Sequence, residues 1–202
     1  MTLRFRGFTL IELMIALAIF GLLIMLAGPQ LAKFFASSQV RNAAEAMLNG
    51  VQQTQTTAVR NNSSTRLVLY PTTGSGGWQI LTSVDGAEPA PNPAGPCLAP
   101  SGAPSINPVQ QYCVTDGAKD AAIARAPADA TKITFDGFGR IIPNADTTAT
   151  LRCIDVTNSK LASARPLRVV ISNTVMSAGT KLCDPDPSLP LTEPQACPAA
   201  CS

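Results

Sequence analysis

The chain has 202 residues, a formal charge of +2, 14% charged and 5% aromatic residues, and a mean hydropathy of +0.17. That length fits one domain plus an appendage, and the near-neutral balance excludes a nucleic-acid binder driven by charge alone. Histidine is absent, which excludes every His-dependent triad and every His-ligated metal site.

The apolar excess lies at the N-terminus. Residues 8–28 read FTLIELMIALAIFGLLIMLAG, with Glu12 as the single charge. As a helix this run is about 31 Å long, enough to span a bilayer's hydrocarbon core. Arg4 and Arg6 precede it with no acid. Basic flanks stay cytoplasmic, so the rest of the chain is expected outside. A cleaved secretory signal would have a shorter apolar region and an A-x-A-like site, and neither is present. A plain membrane anchor fits the length but leaves Glu12 unexplained. A carboxylate there costs roughly 2.5–3.5 kcal/mol at mid-bilayer, less near the edge.

The stretch Arg4-Phe5-Arg6-Gly7-Phe8-Thr9-Leu10-Ile11-Glu12-Leu13 resembles the class III signal of the type IV pilin and pseudopilin superfamily. The resemblance implies that a prepilin peptidase cuts after Gly7, that Phe8 becomes the N-methylated terminus, and that Glu12 is the family's assembly glutamate. The physics is consistent. Cleavage creates a cationic amine on Phe8, and Glu12 can neutralise the amine of a neighbouring subunit in a helix bundle. Gly28-Pro29 falls where members of the superfamily carry a helix-loosening proline, which removes one backbone hydrogen bond and crowds the preceding turn. Processing would also remove Arg4 and Arg6, leaving the side-chain charges balanced.

The helix is expected to continue over residues 30–64. Leu31, Phe34, Phe35, Ala44, Met47, Leu48, Val51 and Ala58 recur at three- and four-residue steps and form an apolar stripe. Its second half should pack on a globular head. Asn61-Asn62-Ser63-Ser64 ends the helix, because these side chains compete for backbone hydrogen bonds.

The head occupies 65–202. TRLVLY (65–70) and WQILTSV (78–84) flank a Gly-rich turn and read as a hairpin. Residues 85–130 are rich in Pro, Ala, Asp and Gly, and read as a long surface excursion with at most short elements. Strand signals return at 133–142, interrupted at Gly137 and Gly139, then at 150–156 and 167–172, with a short one at 180–183. The Pro-rich tail 184–202 cannot hold regular structure. A long helix followed by antiparallel strands is an α+β order, with the helix expected on one sheet face. Trp78, Phe135-x-x-x-Gly139, Arg152-Cys153, the strand from Arg168 to Ser172, and Leu182-Cys183-Asp184-Pro185 are similar to the GspH/FimT/FimU group of minor pilins and pseudopilins. The likeness implies a lollipop-shaped subunit at or near the tip of a type IV pilus or type II secretion pseudopilus. It would help start assembly from the inner membrane, with a periplasmic head and other pilins as partners. It implies no cofactor.

Six cysteines, at 97, 113, 153, 183, 197 and 201, allow 15 pairings. In an oxidising periplasm three disulfides are expected, and Cys97–Cys113, Cys153–Cys183 and Cys197–Cys201 are the pairs taken here. A zinc site is the alternative, but only Cys197 and Cys201 have tight spacing.

The sequence leaves two other functions to consider. From Arg140 to Lys181 the charge sums to +4, so Arg165, Arg168 and Lys181 are candidate phosphate contacts. However, the DNA-binding FimT branch carries Gly-Arg-x-Arg before the last strand, and here the matching stretch is Ser177-Ala178-Gly179-Thr180-Lys181. Catalysis would need a Ser–Lys or carboxylate pair. The acids Asp136, Asp155, Asp184 and Asp186 are scattered, so the chain reads as structural, not as an enzyme.

Overall fold

Helix α1 spans Leu10–Asn61 in the computed structural model, which describes residues 9–70, 76–83, 110–173 and 178–198. Thr9 is its extended N-cap, and the Thr9 Oγ1 accepts the Glu12 amide at 3.3 Å. The segments Leu10–Met25 and Gln30–Asn61 are bent by 45° to each other, with the break within residues 26–29, a stretch that includes the Gly28-Pro29 pair. No single straight helix among the described residues is long and apolar enough to cross a membrane, but the bent pair meets the length and composition required. The helix ends at Asn61, three residues short of the sequence expectation. Asn62 adopts the left-handed conformation (φ 47°, ψ 40°), its amide donates to Val59 O and that of Ser63 to Ala58 O. These two bonds satisfy the final carbonyls as a Schellman motif, and Asn tolerates that backbone better than most residues.

The head begins where the helix becomes buried, at Ala36. Val40, Ala43, Ala44, Met47, Val51 and Ala58 have no solvent exposure, whereas Leu31, Phe34 and Phe35 stay exposed. The stripe read from the sequence therefore divides at residue 36 into a free part and a docked part.

Strands β1 (Thr65–Tyr70), β2 (Gly77–Thr82), β3 (Gln110–Cys113), β5 (Lys132–Phe135) and β6 (Ile141–Ile142) form one antiparallel sheet in the order β3-β2-β1-β5-β6. Strands β4 (Ala121–Ala126), β7 (Cys153–Asn158), β8 (Leu167–Asn173) and β9 (Ala178–Cys183) form a second in the order β4-β7-β8-β9. Helix α1 packs against strands of both. The expectation of one sheet face is corrected to two sheets sharing one helix. The expected β1–β2 pairing is present, with Leu67 opposite Ile80 and Leu69 opposite Trp78.

The second half of the supposed excursion is core structure. Val114, Ala118 and Ala121 are fully buried, and β4 pairs with β7 along its whole length, from Ala121 opposite Asn158 to Ala126 opposite Cys153. The sequence AAIARA has little intrinsic strand preference, and pairing with β7 overrides it. The first half of the excursion, to residue 109, lies outside the described residues apart from its flanking strand ends.

Trp78 locks helix to sheet. It is 4% exposed, donates its Nε1 proton to Ala46 O at 3.0 Å, and stacks on Tyr112 at 6.1 Å. It lies directly over Gly50, where an added Cβ would sit 2.6 Å from Cε2 and 2.7 Å from Nε1. In an open helix Gly→Ala gains about 1 kcal/mol. Here the clash is with a held ring, and overpacking costs about 1–3 kcal/mol. Gly50→Ala is therefore expected to lower the unfolding free energy of the chain in a denaturant titration. The double variant Gly50→Ala/Trp78→Leu should lose less than the sum of the two single changes.

Candidate functional site

Three features of the fold bear on function: the free end of α1, the late cations, and the tail. The free end is apolar all round. Among the described side chains from Leu10 to Met25, the large apolar ones are all more than half exposed. Glu12 lies on this rod, in its first turn, and makes no ion pair among the described residues. Gly7 and Phe8, where processing is expected, lie outside the described residues. The Thr9-x-x-Glu12 spacing is also that of a capping box, a signal the assignment of Glu12 to assembly overlooked. Glu12 thus sits at a helix N-terminus, where the backbone dipole favours a carboxylate, and presents it at the end of an exposed apolar surface.

Five of the six cations from Arg140 to Lys181 make contacts within the head. Arg168 on β8 holds Asp155 of β7 with two hydrogen bonds, Nε to Oδ1 at 2.5 Å and Nη2 to Oδ2 at 2.9 Å. The register places Asp155 opposite Arg168. This contact raises the Arg168 pKa further, as a bidentate pair should. Arg165 donates to the buried Asp184 at 2.5 Å and to Gln195 at 2.6 Å, and Lys181 donates to Ala196 O at 2.9 Å. Arg140 pairs with Asp136 at 2.7 Å and Lys160 with Asp120 at 2.9 Å. Lys132 meets Asp146, and the hydrogen bonds from Lys132 and Thr148 hold the Asp146 carboxyl at about 2. The candidate DNA contacts Arg165, Arg168 and Lys181 are therefore fasteners within the head, two of them gripping the tail.

The tail itself folds back along β9. Asp184 forms a parallel bridge with Ala196, the Asp184 amide donates to Gln195 O at 2.7 Å, and Cys183 is disulfide-bonded to Cys197 with 5.0 Å between Cα atoms. Two expected pairings are thus wrong. Cys153–Cys183 fails because β8 lies between β7 and β9. Strands two apart are about 10 Å from each other, beyond a disulfide's Cα span of about 4.4–6.8 Å. Cys197–Cys201 fails because Cys197 is taken by Cys183. Cys113 and Cys153 are also disulfide-bonded. The expected Cys97–Cys113 pair falls on Cys97, which lies outside the described residues, as does Cys201. No described cysteine is a free thiol, which removes those four from any zinc site.

Among the described residues, no three His, Cys, Asp or Glu side chains come together to hold a metal ion. A groove of about 610 Å³ runs between α1 and the β2–β3 edge. Its lining includes Asn49, Gln53, Thr56, Arg60 and Tyr112 but no carboxylate that could serve as a general base.

The chain thus combines a bent apolar helix bearing one early acid with a two-sheet head. Residues 3–28 match the prokaryotic N-terminal methylation motif. Residues 43–174 match the family described as type II transport protein GspH, and the chain belongs to that family, within the minor pilin and pseudopilin group. The chain is similar to two crystal structures of the type IV minor pilin FimU of Pseudomonas aeruginosa strain PAO1. One, in space group P21, is 16% identical, covers 74% of this chain and 91% of its own, and has a TM-score of 0.48. The other, in P65, is 14% identical, with coverages of 70% and 90% and a TM-score of 0.45. No curated protein matches the chain.

Proposed function

We propose that this chain is a minor pilin that primes or caps a type IV pilus, and that its role is structural and not catalytic. Residues 1–7 are a leader that the prepilin peptidase removes after Gly7, and Phe8 becomes the methylated terminus. The residues from 8 to 29 anchor the protein in the inner membrane in a single pass, and Arg4 and Arg6 keep the leader cytoplasmic, so the head is periplasmic. Other pilins receive the helix into a bundle. Glu12 neutralises a neighbour's Phe8 amine there, and Gly28-Pro29 lets the helix adjust its course on leaving the membrane.

The observation that carries this reading is Glu12: one carboxylate on an exposed apolar helix, without an ionic partner among the described residues. Arg165, Arg168 and Lys181 each already hold a partner within the head, which speaks against their serving as free phosphate contacts. The family description favours a second reading, a pseudopilin of type II secretion. Deleting the gene separates the two, through loss of surface fibres in the first case and loss of exported proteins in the second. Intact-mass analysis of the membrane-extracted protein tests the processing step. The expected species begins at Phe8 and carries one added methyl group. A species beginning at Met1 overturns it.

A further inference from the structure

The second sheet carries a small cluster on the face turned away from α1. Side chains alternate between faces along β7, β8 and β9. Ile154, Val156, Val169 and Ile171 belong to the core shared with α1, and Leu182 packs against it. Cys153, Val170 and Cys183 alternate with them and form a separate buried cluster, with Ala126 and Cys197 packed against it. Cys153 lies opposite Val170, has no solvent exposure and is disulfide-bonded. Cys183 and Cys197 hold each other, so the partner of Cys153 is Cys97, Cys113 or Cys201.

Position and reach separate the three. Cys113 ends β3, an edge strand of the first sheet, and the next residue, Val114, is fully buried in the α1 core. A bridge would hold its two Cα atoms within about 4.4–6.8 Å, yet Cys113 is absent from the cluster that holds Cys153. Cys201 is four residues beyond Cys197, a tether of at most about 13 Å. The step from β9 to β7 crosses β8 and covers two strand spacings, about 10 Å. The tether from the Cys183–Cys197 bridge therefore spans to Cys153, over Val170. If Cys97 took Cys153 instead, Cys113 would be left to Cys201, and the same short tether would have to run from the outward face of one sheet to the edge strand of the other.

We propose that Cys153 is bonded to Cys201, which makes the tail a covalently fixed outer layer of the second sheet, fastened on β9 and again on β7. Cys97 and Cys113, 16 residues apart, are then the third pair. The bridges need an oxidising compartment, and in this they rest on the pilin reading above. Each forms when two thiols pass two protons and two electrons to a disulfide-bearing oxidant, which leaves as its dithiol.

The test is a non-reducing tryptic map of the full chain extracted from membranes, with thiols blocked before digestion. Cleavage at Lys and Arg puts Cys97 and Cys113 in one peptide (67–119), Cys153 in a second (153–160), and the last three cysteines in a third (182–202). The expected map links the second peptide to the third, with fragmentation placing the bond on Cys201, and leaves the first internally bonded. A bond from 153–160 to 67–119, or to Cys183 or Cys197, overturns the inference. In Cys201→Ser, unfolding without reductant should expose one thiol, at Cys153; a thiol at Cys97 or Cys113 overturns it equally. A chain that begins at Phe8 but is linked otherwise leaves the pilin reading standing. A chain that begins at Met1 with six thiols ends both.

Discussion

Glu12→Ala leaves the protein in the membrane and removes it from fibres. The helix loses nothing it needs to span a bilayer, since the substitution deletes the one charge in residues 8–28 and that charge is itself unfavourable in hydrocarbon. On the proposed pilin reading, what is lost is the partner for an amine that stays buried in the bundle. Removing one member of a buried ion pair costs about 3–5 kcal/mol, a hundredfold or more in incorporation. The fibre fraction should therefore fall by at least that factor while the membrane fraction is unchanged or rises. Glu12→Gln, which keeps the size of the side chain and removes its charge, should fail to a similar degree. The bond from the Glu12 amide to Thr9 Oγ1 uses the backbone and survives both changes, and Gln can still fill the capping-box position, so an equal failure of Glu12→Gln separates loss of the charge from fraying of the helix.

Cys197→Ser is the substitution expected to cost the head most. The Cys183–Cys197 bridge closes a loop of sequence separation 14, for which the chain-entropy account gives about 3 kcal/mol. For a head of this size that corresponds to a fall in melting temperature of about 6–12 °C. The loss also loosens the tail that gives Arg165 its Gln195 contact and Lys181 its Ala196 carbonyl. Non-reducing peptide maps of the native chain should show a Cys183–Cys197 linkage, and a Cys197–Cys201 linkage would contradict the structure. Differential scanning calorimetry of the native and Cys197→Ser chains measures the destabilisation, and an unchanged melting temperature would mean that the hydrogen bonds alone hold the tail.

The parts legible in the sequence are those where local chemistry and final packing agree. The β1–β2 hairpin announces itself through β-branched residues around a glycine turn. In α1, Ala44, Met47, Val51 and Ala58 repeat at the helical period and are buried. Legibility fails where the partner decides. AAIARA becomes β4 only because β7 lies beside it, and nothing local in Ala-rich sequence signals that. One sheet or two cannot be told from strand spacing either, since it depends on which strands pair. The cysteine pairs were misjudged for the same reason: Cys153 and Cys183 both end up in one small buried cluster with Val170, but a strand separates their backbones. Arg165, Arg168 and Lys181 read as a surface patch in composition, whereas cross-strand register with Asp155 and the return of the tail along β9 tie them into the head.

The central claim is that Glu12 of one subunit meets the Phe8 amine of another. A filament structure resolving side chains measures this directly. The account predicts the Glu12 carboxylate about 2.8 Å from a neighbouring subunit's N-terminal nitrogen. A Glu12 turned to water or paired within its own chain, with the amine lying elsewhere, would contradict it.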